Sequence, residues 1–137
     1  MMNFKPQKLA TRLAATQPKI RAIYVSTYPP RDCGIATFTK DLSSAINLLN
    51  PSYLADIAAI DDSSSGGPTI DYPWEVKYTI NQEDLRSWID GAEQINRSAA
   101  DVVVIQHEFG IYGGETGEYV LSFMDALNKP AIICYHT

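Results

Sequence analysis

The chain has 137 residues, 45% of them hydrophobic and 20% charged, with 8 glycines beside 8 prolines; this composition supports one ordinary core and excludes a disordered chain. Its longest apolar runs, at 102–105 and 131–135, fall far short of the ~20 residues that cross a bilayer. The formal net charge of -5 is unevenly spread: six of the eleven basic residues precede the first acid, Asp32, and from there on 16 acids face 5 bases, which argues against nucleic acid as a partner of the folded body.

Two cysteines, Cys33 and Cys134, without a secretory signal point to a reducing, cytoplasmic setting rather than a disulfide framework. The sequon at Asn96-Arg97-Ser98 then carries no weight. Residues 1–19 form a basic leader in which Leu9 and Leu13 are interspersed with Lys and Arg between Pro6 and Pro18. A loose tail is the expectation, with a short helix in peripheral contact with an anionic membrane, or an organellar leader, as its alternatives.

From residue 20 onward β-rich runs alternate with runs of helical period, the pattern of a mainly parallel sheet covered by helices. Strands are expected at 20–26, 53–60, 75–79, 101–107 and 130–136. The runs at 102–105 and 131–134 are continuous rather than alternating, as in strands buried on both faces. Between them, Ile35, Phe38, Leu42, Ala45, Ile46 and Leu49 form one helical stripe. Leu85, Trp88, Ile89, Ala92 and Ile95 form a second, with Asn81 as its N-cap. Val120, Phe123, Met124 and Leu127 form a third, and all three read as core. Residues 61–68, rich in Ser and Gly, read as a flexible loop without chemistry of its own. The last strand ends at His136-Thr137 with no helix after it, the ending expected of a truncated domain. The fold class is α/β, a Rossmann-like three-layer α/β/α domain spanning 20–137.

Ligands of open parallel sheets bind outside the carboxyl ends of the strands. Three segments fall there. In the first, 26–37, Pro29-Pro30 rules out regular structure, and Gly34 lets backbone approach a ligand at a helix start, where free N–H groups favour an anion or a sugar hydroxyl. Neither a dinucleotide fingerprint nor a Walker loop is present. Cys33 reads as a small residue in a tight turn, since a phosphatase loop would need Arg where Thr39 stands. In the second, 106–118, four glycines permit close backbone approach. His107 and Glu108 point to opposite faces of an extended strand and make a poor chelate pair, and Ile111 stands where a zincin would place its second His. His107 reads equally well as a structural histidine. In the third, His136 lies at the mouth of the last strand, with an acid-base, a substrate-binding and a structural role all open.

Taken together, Tyr28-Pro29-Pro30-Arg31, Cys33-Gly34-Ile35-Ala36-Thr37-Phe38 with Asp41-Leu42, Gln106-His107-Glu108-Phe109-Gly110-Ile111-Tyr112-Gly113-Gly114 with Gly117-Glu118-Tyr119, and Pro130 followed by His136-Thr137 resemble the amino-terminal domain of the retaining GT-B glycosyltransferases of the group-one, or family-four, type. The resemblance covers residues 20–137. It implies an acceptor-side domain facing a second Rossmann-like domain that holds most of the nucleotide-sugar donor, transfer with retention of configuration, and an unidentified acceptor. It further implies that the loop at Gly34 approaches the donor diphosphate or the acceptor and that His136 contacts the transferred sugar as the catalytic-site residue. Arg31, Ile35, Thr37, His107, Glu108, Gly113 and Gly114 stand at substrate-binding positions. No metal and no resident cofactor are expected. The family's paired glutamates belong to the second domain, so this chain alone is expected to be inactive. A non-catalytic doubly wound binding module is the runner-up, although Ser26-Thr27-Tyr28 lacks the paired acids of a receiver. A metal-assisted hydrolase using His107, Glu108 and His136 is the third reading.

Overall fold

The computed structural model describes residues 19–63 and 69–136. The leader falls almost wholly outside the described residues, as does 64–68 of the Ser/Gly loop. The elements, in chain order, are β1 (Ala22–Ser26), α1 (Gly34–Leu49), β2 (Asp56–Asp61), β3 (Val76–Asn81), α2 (Leu85–Asn96), β4 (Val102–His107), α3 (Tyr119–Ala126) and β5 (Ala131–Tyr135). Every described strand overlaps its expected range.

All strand pairs are parallel, in the order β3-β2-β1-β4-β5. The chain leaves β1 through α1 toward β2 on one side, and returns through α2 to β4 on the other. Strand order thus reverses between β1 and β4, which opens a crevice at their carboxyl ends.

Alternating side chains of each strand feed two cores. On one face Ile23, Val25, Ala58, Ile60, Val103 and Ile105 pack under α2 and α3, where Trp88 meets the Tyr112 and Phe123 rings edge to face. On the other, Tyr24, Tyr28, Ile57, Ala59 and Val104 pack with Leu42 of α1. β4 is buried on both faces, as its continuous run predicts. Among the described residues no helix is long and apolar enough to cross a membrane.

Three expectations are corrected. β5 is an edge strand with Ile132 54% exposed, because only β4 pairs with it; a continuous apolar run cannot report whether both faces are covered. The α1 stripe is displaced: the helix buries Ile35, Ala36, Thr39 and Ser43, while Phe38 and Leu49 are exposed and Leu42 and Ile46 half-buried. Tyr24 and Tyr28 already fill the space beneath α1, so small side chains face the sheet. In the other two helices Leu85 and Met124 are likewise exposed, at the helix margins. The N-cap of α2 is Asp84, whose carboxylate accepts the Arg86 N–H at 3.0 Å. Asn81 instead closes the end of β3, with its side-chain oxygen accepting the Glu83 N–H at 3.1 Å.

Candidate functional site

The crevice at the switch point is built from the ends of β1, β4 and β5 and the start of α1. Cys33 occupies the N-cap of α1 in extended conformation without a side-chain cap, so the N–H groups of the first turn at Gly34 and Ile35 have no carbonyl within the helix to bond. A Cβ placed on Gly34 would meet nothing within 4 Å. The helix end is therefore open where its positive pole lies. Cys33 Sγ lies 3.1 Å from Thr27 Oγ1, within the loop.

α1 is tied to β1 by a buried hydroxyl pair, Ser26 Oγ to Thr39 Oγ1 at 2.8 Å. Next to Thr39 in the chain, the Phe38 ring stands edge-on to the His136 ring, centroids 4.7 Å apart. His136 follows β5, its backbone N–H donating to the His107 carbonyl at 2.8 Å. Its Nε2 lies 2.6 Å from Oε1 of Gln106, which is fully buried near the end of β4. Phe38 and Gln106 thus both meet His136, with Gly34 one turn before Phe38 on the same helix, whereas Ile35, a sequence candidate for substrate binding, is buried in the core with Val25 and Ile105. Thr37 is on the same turn, exposed, its hydroxyl 3.4 Å from the Cys33 carbonyl.

Arg31 is placed elsewhere. Its guanidinium donates to Oε1 of Gln82 at 3.0 Å and approaches the Ile60 carbonyl at 3.4 Å and the Asp62 carboxylate at 3.5 Å. Asp62, assigned from sequence to a loop without chemistry, thus pairs with a candidate site residue. Gln82 uses every polar group it has. Beyond Arg31, its Nε2 donates to the Gly110 carbonyl at 3.0 Å, its carbonyl accepts Trp88 Nε1–H at 3.0 Å, and its N–H donates to the Asp61 carbonyl at 2.8 Å. Three loops at the carboxyl edge are bound through this one side chain.

His107 lies on the opposite face from His136. Its ring sits among Phe109, Tyr112 and Tyr135, with centroids 5.4, 5.2 and 5.0 Å away. Glu108 follows it, half-buried. The three residues of the hydrolase reading therefore do not converge, and among the described residues no three His, Cys, Asp or Glu side chains gather as a cation site requires.

The glycine loop is filled by its own chain. A Cβ on Gly113 would overlap the Gln82 carbonyl oxygen, and one on Gly114, whose φ is +90°, would overlap the Glu118 carboxyl. That carboxylate accepts the Thr116 N–H at 2.9 Å and the Thr116 hydroxyl at 3.1 Å. Backbone donors, led by Thr116, hold it below the usual carboxylate range. Gly113 and Gly114 thus serve close packing of this loop, and the anion within it is Glu118.

Behind the crevice, the Tyr28 hydroxyl donates to Glu75 at 2.9 Å, and Lys40 lies 3.5 Å from the same carboxylate. Burial foremost, and then Glu75, push the Tyr28 phenol up to about 12. For Glu75, burial acts to raise the carboxyl, but hydrogen bonds from backbone and Tyr28 and the Lys40 charge outweigh it and leave the group below its ordinary value.

Sequence reasoning missed Gln82, Gln106 and Glu118. Gln106 carried a signal: it is a polar residue directly after the apolar run 102–105, where a strand enters a carboxyl-end crevice. Compared with known proteins, the chain matches no family model, no curated protein and no solved structure.

Proposed function

We propose that this domain is the acceptor-side half of a retaining GT-B glycosyltransferase that works, in a longer protein, on a nucleotide-sugar donor. The observation that carries the reading is that α1, open at its Gly34 start, carries Phe38 one turn on, whose ring meets His136 beside the switch point between β1 and β4. An open helix start suits a diphosphate or a hydroxyl, and a half-buried imidazole against the next turn of that helix suits a sugar hydroxyl. Arg31, through Gln82, supports the loop that carries Gly34 rather than meeting the ligand itself. Transfer requires donor and acceptor held together in a closed, dry cleft. The second domain implied by the sequence resemblance would provide the other wall.

The test is product formation by the full-length protein against nucleotide-sugar and acceptor libraries. His136→Ala should lower turnover by ~10²-fold or more; it also leaves the buried Gln106 amide oxygen without its partner, so a stability loss of about 1–3 kcal/mol should accompany it, with the domain still folded. Turnover unchanged by this variant, or hydrolysis of amides or esters in place of sugar transfer, would sink the reading.

A further inference from the structure

Gln106 is fully buried near the carboxyl end of the central strand β4, and its amide nitrogen has no hydrogen-bond partner among the described residues. Burying a donor without a partner is costly, and an apolar side chain of similar length would avoid the cost. The one bond that the Gln106 side chain does make is between Oε1 and Nε2 of His136, at 2.6 Å. Further contacts hold both partners. The Gln106 carbonyl accepts the Tyr112 hydroxyl at 2.7 Å. Register places Gln106 beside Cys134, so that His136, two residues on, emerges on the Gln106 side of the sheet. Phe38 closes the other flank of the imidazole, its ring 72° from the imidazole plane.

We propose that Gln106 is a positioning residue for His136: its amide oxygen holds the imidazole proton on Nε2 and leaves Nδ1 as the nitrogen that meets a ligand, as an acceptor for a hydroxyl. An amide oxygen only accepts, so the bond is made only when Nε2 carries the proton. In the neutral ring Nδ1 is then a bare lone pair, and among the described residues it has no hydrogen-bond partner. Such a nitrogen takes the O–H of a sugar or other polyol and rejects a ligand that offers only acceptors. The identity of that hydroxyl as a sugar's rests on the glycosyltransferase reading; the tautomer does not.

The chain holds two histidines, so long-range 1H–15N correlation spectra of the whole chain resolve both rings, with His107 as internal reference. The wild type should show neutral His136 with its proton on Nε2 and slow exchange of that proton with water. Gln106→Met removes acceptor and orphaned donor together at similar length. It should speed exchange of the His136 ring proton at least ten-fold and populate both tautomers, with His107 and the backbone amide dispersion unchanged. A wild-type proton on Nδ1, a freely exchanging Nε2–H, or a methionine variant with unaltered tautomer and protection would each overturn the proposal. The wild-type spectrum decides even where the variant fails to fold. Failure of sugar transfer by the full-length protein would leave the tautomer result standing.

Discussion

A methyl group added at Gly113 would overlap a backbone oxygen and crowd the Tyr119 ring, whereas one added at Gly34 meets open space. The two glycines are thus conserving different things. Gly113→Ala should destabilise the domain by about 3 kcal/mol, since the Gln82 backbone is held through both its N–H and its carbonyl and cannot retreat cheaply. Gly34→Ala should leave stability within about 1 kcal/mol of the parent while weakening ligand binding by the full-length protein. Urea unfolding of both variants checks the contrast; equal losses would mean that Gly34 is also a packing glycine. The Tyr28–Glu75 pair contributes at both ends of the pH range. Glu75 titrates lower when folded, so it contributes stability above its ordinary value of 4.5 that is lost as pH falls through the depressed folded value. Tyr28 titrates higher when folded, so its contribution is complete below 10 and lost as pH rises toward about 12. Denaturation midpoints across pH should fall at both ends, and Glu75→Gln should flatten the acid limb specifically. An acid limb unchanged in that variant would assign acid sensitivity to other carboxylates.

At the scale of elements, α1 is docked by hydroxyls as much as by apolar contact. Ser26 and Thr39 satisfy each other in a buried setting, so Thr39→Val should leave the Ser26 hydroxyl unpaired and cost about 1–2 kcal/mol. The double change Ser26→Ala with Thr39→Val should recover part of that loss, because neither partner is then orphaned. Strictly additive losses in thermal unfolding would show that the two hydroxyls are not coupled. The same pair explains what sequence could not reveal about α1. Its helical period was legible, but the apolar stripe lay on the wrong rows because Leu42 and Ile46 are only half-buried while Thr39 and Ser43 point inward. Periodicity identifies a helix; it fixes the buried row only when the facing sheet leaves room for large side chains. β4 was legible in full, since its neighbours β1 and β5 and both covering layers are present. β5 carries a similar run, and its exposure depends on what pairs beyond it, which no local pattern encodes. The places of His136 after a strand and of Gly34 at a helix start were legible because strand ends and helix starts can be located from sequence. The contacts of Gln106 with His136 and of Gln82 with Gly110 were not, because the partners lie 30 and 28 residues apart.

For the whole molecule, five parallel strands under three helices make a core that should fold without a second domain. On the glycosyltransferase reading the crevice they form is one wall only. Gly34 and His136 give a ligand an open helix end and a single imidazole, and Glu118 already occupies the glycine loop that would otherwise offer backbone donors to an anion. A nucleotide sugar held by so few groups should bind the isolated chain with a dissociation constant on the order of millimolar, near -4 kcal/mol, and should not turn over. Isothermal titration with a panel of nucleotide sugars, run beside an activity assay, measures both quantities. If the full-length protein binds micromolar donor while this chain binds at millimolar, most of the donor contacts lie in the other wall, as an acceptor-side half requires. Micromolar binding by this chain alone, lost on His136→Ala, would instead make this the donor-side wall and reverse the assignment of the two halves.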